Sequence, residues 1–280
     1  MIVTKTPLRI SIGGGGTDLP SYYRQFSGFL ISAAITEYVY VGVNRNLLPG
    51  YSLQYSETET AQTREQIRHR LIRETLIKYD INEPLEIVSF ADVPAGTGLG
   101  SSGAFLVGLI HALKNYTLDP ISAKTLAEEA FDIESIRLQE PVGKQDHYIA
   151  AFGGLLCQEY NPDDSVVVAP LKMSEASIHE LQNSLMLFFL GAARNASAIL
   201  EDQRRRSEQG DQEMLDGLHF IKQIGQEIKS NLEAGEISRL GELMHEHWLR
   251  KRERSASITN SHIDELYELA LTKGGATGGK

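Results

Sequence analysis

The run PAGTGLGSSGA, Pro94–Ala104, sets glycines at 96, 98, 100 and 103 around two consecutive serines. Glycines let backbone N–H groups turn toward one point, and Ser101 and Ser102 stand where a helix would begin, with its electropositive end facing that point. Such a cradle binds phosphate, and a serine hydroxyl in the same place can ligate Mg²⁺. The plainer reading is a glycine-rich turn from strand to helix. Downstream, Glu134 and Asp146 supply two carboxylates. Phosphoryl transfer calls for a hard-oxygen ligand for a divalent cation and a carboxylate beside the attacking hydroxyl. Taken singly, Glu134 reads as a solvent-facing helical glutamate and Asp146 as a cap for a helix at His147–Ala151. A second run, Gly13–Gly16 in PLRISIGGGGTDLPS, reads as a mobile turn, or as a place where a ligand comes so close that no Cβ fits.

Competing motifs lack their context. Gly98, Gly100 and Gly103 spell G-x-G-x-x-G, the one feature that would support a nicotinamide-dependent oxidoreductase. The residues that follow, Asn115–Leu126, contain Pro120 and lead into a helix rather than a second strand. Gly274 with Gly279 and Lys280 spells G-x-x-x-x-G-K, but a helix precedes it and no Ser or Thr follows the lysine. His245 and His247 flank Glu246 on different helical faces, not at metal-ligand spacing. No serine sits in G-x-S-x-G.

The chain has 280 residues, enough for one large domain or two ordinary ones, and a net charge of −10. Such a negative field opposes phosphate backbones and anionic membranes, so neither nucleic acid nor a membrane is an expected partner. Arg204–Arg206 is flanked by Glu201, Asp202 and Glu208 and reads as a solvated helix face. The single cysteine, Cys157, can form no internal disulfide and reads as a buried structural thiol. With no signal pattern and no apolar run of spanning length, a reducing, cytoplasmic setting is expected, where Asn195-Ala196-Ser197 would stay unglycosylated.

The elements that must position these residues follow from patterning. Val3–Ile12 reads as extended but interrupted by Pro7. Phe29–Ala34, Tyr38–Val43, Tyr51–Tyr55 and Leu85–Phe90 read as strands. Apolar spacing predicts helices over Gln62–Tyr79 and Ala104–Leu113, and one over Ser122–Leu138 launched by Ser122. Leu155–Tyr160, Val166–Val168 and Leu185–Leu190 read as further strands. Beyond Arg194 the pattern is almost wholly helical, near 196–207, 211–232, 236–253 and 262–272. A boundary within 160–185 is expected.

PAGTGLGSSGA resembles the second motif of the GHMP kinases, the family of galactokinase, homoserine kinase and mevalonate kinase. Pro7-x-Arg9 followed by Thr17-Asp18 resembles the first motif. Glu134, Pro141, Gly143 and Asp146 are similar to the family's glutamate-to-aspartate segment. Within the family, these stretches and EPVGKQDHYIAAFGG are most similar to bacterial kinases of D-glycero-D-manno-heptose 7-phosphate, with L-fucose kinase domains next.

The resemblance implies an α+β, two-lobed fold. It would comprise a ribosomal S5 domain 2-like N-terminal ATP-binding domain over 1–170 and a helix-rich C-terminal domain over 171–280, with ATP and sugar meeting between them. It implies a third glycine-rich motif, of which GGATGGK would be the leading edge, the chain being truncated before it. The implied reaction moves the γ-phosphoryl group of ATP to a sugar C1 hydroxyl, with Mg²⁺. Asp146 would face that hydroxyl, and Arg9 would stabilise the attacking oxygen or the moving phosphoryl group. Pro94, Gly96, Gly98, Leu99, Gly100, Ser101, Ser102 and Gly103 would hold ATP, and Ser102 and Glu134 the metal. Thr17 and Asp18 would open the sugar pocket. Galactokinases carry Glu-His where this chain has Gly15-Gly16, so Gly14, Gly15 and Gly16 are expected to accommodate a longer, phosphorylated sugar, with Lys144 or Arg194 as charge partner. A non-catalytic sugar-phosphate sensor on the same fold is the alternative of another class. The resemblance implies no oligomeric state.

Overall fold

The computed structural model describes residues 1–191, 196–254 and 259–280. Arg194 and Asn195 lie outside the described residues. In chain order the strands are β1 (Ile2–Gly13), β2 (Gly28–Arg45), β3 (Tyr51–Gln54), β4 (Thr58–Ala61), β5 (Leu85–Ala91), β6 (Leu155–Tyr160) and β7 (Val166–Pro170). The helices are α1 (Pro20–Phe26), α2 (Arg70–Lys78), α3 (Ser101–Tyr116), α4 (Ala123–Phe131), α5 (Gln145–Phe152), α6 (Glu175–Ser184), α7 (Ala196–Glu208), α8 (Gln212–Ala234), α9 (Leu240–Arg254) and α10 (Ser261–Thr272). The chain divides into two compact units, one of Met1–Ile10 with Ala34–Gly154, the other of Ser11–Ala33 with Leu155–Lys280. The units interleave, whereas the composition shift points to a single cut in 160–185. The difference arises because β1 and β2 are long enough to contribute residues to both units.

In the first unit β4, β3, β5 and the second half of β2 lie side by side, and β1 pairs with β2. β5 runs antiparallel to β2, from Val39 opposite Ala91 to Arg45 opposite Leu85, and parallel to β3. β1 is unbroken at Pro7, because it lies off the main strand path, where a missing N–H need not interrupt a ladder. Its alternation buries Thr4, Thr6 and Leu8 on one face. Thr4 Oγ1 donates to the Gly108 carbonyl at 2.9 Å, and a Cβ on Gly108 would sit 2.7 Å from Thr6 Oγ1. Gly108 thereby lets α3 settle directly on β1. Every residue of that helix from Gly103 to Ile110 is buried, with Leu106, Leu109, Ile110 and Ala112 wholly so, as suits a central helix.

Two predicted helices of this unit differ from the observed ones. The Gln62–Tyr79 pattern resolves into a short turn at Arg64–Gln66 and α2, which begins only where His69 Nδ1 accepts from the Ile72 amide at 3.4 Å. The apolar Ile67 is fully buried outside the helix, which is why spacing alone ran the helix too far. Strand β4 was not anticipated. Ser122 caps α4 as expected, accepting from the Thr125 amide at 3.1 Å. The helix then widens into a π turn over Asp132–Arg137, and Glu134 lies within it.

The second unit holds the first half of β2 beside β6 and β7, all antiparallel. Its longest helix, α8, buries Met214, Leu218, Ile221, Ile224 and Ile228 along one stripe. Tyr22 packs on this helix, its hydroxyl 2.7 Å from His219 Nδ1. Burial pushes the Tyr22 pKa up to about 12, so the phenol keeps its proton. Cys157 is buried, and desolvation pushes its thiol up to about 11, which suits an inert structural cysteine. Leu185–Leu190 forms no strand, and Met186, Leu187, Phe188 and Phe189 are exposed. An apolar, strand-like composition is present there, but no neighbouring strand among the described residues supplies a ladder. Helix α6 was also missed; Ser174 caps it by accepting from the Ser177 amide at 3.1 Å.

Candidate active site

β5 delivers the chain into the glycine loop. Gly96, Gly98 and Gly100 have φ of +80°, +79° and +77°, a conformation that L side chains rarely adopt. The loop ends where Gly100 acts as N-cap of α3, and no side chain caps that end. The first-turn amides of a 16-residue helix therefore face out without an intrahelical or side-chain acceptor. Ser101 is half-buried and Ser102 exposed at this end, while Pro94, Gly96 and Gly98 are exposed along the loop. Leu99 differs from the others. Its side chain is buried in the core and its carbonyl accepts from the Arg9 amide at 3.0 Å, so it anchors the loop rather than offering a side chain to a ligand.

Arg9 and Asp146 meet against this loop. Arg9 Nε donates to Asp146 Oδ1 at 2.7 Å and Nη2 lies 2.6 Å from the same oxygen. The remaining nitrogen, Nη1, donates to the Gly98 carbonyl at 2.6 Å. Gln145 Nε2 adds a longer contact to Oδ1 at 3.3 Å. A Cβ on Gly103 would stand 2.8 Å from Asp146 Cβ, and one on Gly100 would stand 3.1 Å from Asp146 Oδ2. Gly103 is thus required by the aspartate that lies on it, Gly96 and Gly98 by positive φ, and Gly100 by positive φ together with the aspartate's close approach. Asp146 is in the first turn of α5 and caps nothing with its side chain, so the capping alternative is set aside.

Glu134 is not solvent-facing either. It is 4 % exposed, and its Oε2 lies 2.7 Å from His147 Nε2. Lys144 is buried at the start of α5 with its ammonium 5.3 Å from the centre of the Phe131 ring, so a surface-lysine reading is set aside too. The donor set fits a small hard dication: a carboxylate with one oxygen engaged and a hydroxyl at an uncapped helix start. Among the described residues no cluster of three or more His, Cys, Asp or Glu forms a metal cage.

The other glycine run belongs to the second unit. Gly14 has φ +79°; a Cβ there would collide with the Phe29 carbonyl and stand 2.8 Å from Leu30 Cα. A Cβ on Gly13 would meet Ile228 Cδ1 at 2.9 Å. Thr17 is wholly buried, its hydroxyl 2.8 Å from the Gly14 and Phe29 carbonyl oxygens and accepting from the Phe29 amide at 3.1 Å. Thr17 therefore holds the loop instead of opening a pocket. Asp18 is buried, and its Oδ1 accepts from the Gly16 amide at 3.2 Å. Packing thus accounts for Gly13 and Gly14, while at Gly15 a Cβ would press only on the Ser11 side chain. Gly14→Ala should lower stability by about 3 kcal/mol and Gly15→Ala by under about 1 kcal/mol, read from urea midpoints. Equal costs would contradict this division of the run.

Gln145, His147 and Gln203 escaped sequence reasoning. Gln203 Nε2 donates to the Gly16 carbonyl at 2.7 Å. Nothing in local spacing signals such a contact; for His147 the one available hint was adjacency to Asp146.

Residues 64–154 match the family described as GHMP kinases N terminal domain. A D-glycero-alpha-D-manno-heptose 7-phosphate kinase of Campylobacter jejuni is 27% identical across 99% of this chain and 85% of its own length. A bifunctional fucokinase/GDP-fucose pyrophosphorylase of Arabidopsis thaliana is 22% identical over 94% of this chain and 27% of its own length. Among solved structures, a D-glycero-D-manno-heptose 1-phosphate kinase from Bacteriodes thetaiotaomicron superposes with a TM-score of 0.80 at 25% identity, over 100% of this chain and 85% of that one. No helix among the described residues is long and apolar enough to cross a membrane.

Proposed function

We propose that this chain is a GHMP-type small-molecule kinase and, within that family, a sugar 1-kinase. It would transfer the γ-phosphoryl group of ATP to the C1 hydroxyl of D-glycero-D-manno-heptose 7-phosphate, giving the 1,7-bisphosphate and ADP. The observation that carries this reading is the Arg9–Asp146 pair set on the glycine loop beside the uncapped start of α3. A carboxylate held so firmly in one place is suited to take the proton of an attacking hydroxyl. The amides at 101–103 and the Ser101 hydroxyl would receive phosphate oxygens, where preorganised donors stabilise charge without reorganising. Glu134 and Ser102 would hold Mg²⁺, which neutralises phosphate charge when bound. A sensor would have no use for an aspartate fixed by three side-chain contacts, which argues for catalysis. L-fucose or another hexose is the second acceptor class, favoured by the Arabidopsis relative.

The experiment is ADP release with Mg-ATP across heptose 7-phosphate, mannose, fucose and galactose. Selective turnover of the heptose phosphate is the expected result. Preference for an unphosphorylated hexose would reject the substrate, and no ATP turnover with any sugar would reject the reaction. Replacing Gly15-Gly16 by Glu-His should raise KM for the phosphorylated sugar at least tenfold through lost space and like-charge repulsion, while KM for ATP stays put. An unchanged sugar KM would remove these glycines from the sugar site.

A further inference from the structure

Within the kinase reading, on which this inference rests, we propose that His147 is a positioning residue that aims the Glu134 carboxylate at the cation accompanying ATP. Glu134 comes from a π turn, a backbone form with a displaced hydrogen-bond pattern, and so needs an external hold on its side chain. His147 supplies it across 2.7 Å, and both side chains are almost completely buried. His147 Nδ1 is itself buried with no hydrogen-bond partner, so a proton there would have no acceptor, whereas Nε2 faces the Glu134 carboxylate. The proton sits on Nε2 and is donated to Oε2, which fixes the tautomer. The Phe131 ring meets the imidazole edge-on at 5.8 Å and limits its rotation.

This contact occupies one oxygen of Glu134 and leaves Oε1 as the donor for a cation. His147 is not a ligand itself, because one nitrogen is spent on Glu134 and the other is shut away. Asp146 and His147 are consecutive on α5, and their side chains diverge by about 100° around the helix. One short helix therefore sets both carboxylates of the site. Asp146 is on it directly, and Glu134 is held through its neighbour.

The test is ATP affinity by calorimetry, first in EDTA and then at rising free Mg²⁺. Wild type would be compared with His147→Gln, whose terminal amide can replace the Nε2 donor, with His147→Asn, whose amide is too short, and with His147→Leu. Asn and Leu should raise the free Mg²⁺ needed for half-maximal tightening 10- to 100-fold. Their affinity in EDTA should stay within about twofold of wild type, and Gln should stay within about threefold throughout. Should Leu fail to fold, the contrast between Gln and Asn carries the same decision. Wild type that tightens with Mg²⁺ while the folded variants match it would overturn this inference alone. A loss of EDTA affinity equal to the loss with Mg²⁺ would make His147 merely structural, and would also overturn it. Wild type that binds no ATP would overturn the kinase reading with it.

Discussion

Asp146→Asn is expected to reduce kcat by about three orders of magnitude while leaving ATP affinity within about twofold. The substitution is nearly isosteric, and the asparagine oxygen can still accept from Arg9 Nε, which now sits 2.7 Å from Oδ1. The group would remain where it is, resting on Gly100 and Gly103. What disappears is the basicity and the negative charge that a hydroxyl proton needs. Some stability should go as well, about 1–2 kcal/mol, because Arg9 would lose its charged partner in a setting that is only 13% exposed. Single-turnover kinetics with nucleotide binding measured separately decides the matter. A variant that keeps a tenth or more of wild-type turnover would take Asp146 out of the chemistry.

Arg9→Ala should cost about 100- to 1,000-fold in kcat/KM, and Arg9→Lys nearly as much. The guanidinium is engaged on every nitrogen, with two contacts to Asp146 and one to the Gly98 carbonyl. A lysine ammonium is a single point and cannot span the aspartate and the loop together. The resemblance implies that Arg9 touches the attacking oxygen or the moving phosphoryl group; from these contacts we propose instead that it acts through Asp146 and through the loop. The double variant with Asp146→Asn separates the two roles. If Arg9 works through the aspartate, the two losses will be far from additive, and the double variant will resemble Asp146→Asn alone. Full additivity would return Arg9 to a direct part in the transfer.

Much of the framework was open to reading along the chain because it depends on neighbours in sequence. The loop glycines and paired serines announced a strand, a turn and a helix start, and the structure has β5, the loop and α3 in that order. Ser122 identified the start of α4 because capping is a local contact between a side chain and an amide three residues on. Apolar spacing found α8 for a similar reason. Reading failed where a local pattern had to be completed from elsewhere. Leu185–Leu190 has strand composition, but a strand exists only by pairing. Gln62–Tyr79 has helical spacing, yet Ile67 is buried without belonging to the helix.

For the candidate site, Arg9, Glu134, Asp146 and the glycine loop could be singled out as candidates from residue types and family likeness. Their relations were not. Arg9 and Asp146 are 137 positions apart, and Glu134 and His147 are 13 apart across a π turn, separations that leave no periodic trace. Only the tertiary structure assigns Gly100 and Gly103 to Asp146, spends Thr17 on its own loop, and gives Glu134 a histidine. The amino-acid order determines which groups can take a proton, cradle a phosphate or bind a cation, since those are properties of single residues and short turns. Which group faces which is decided by packing, because close approach of distant side chains depends on how every intervening element is buried.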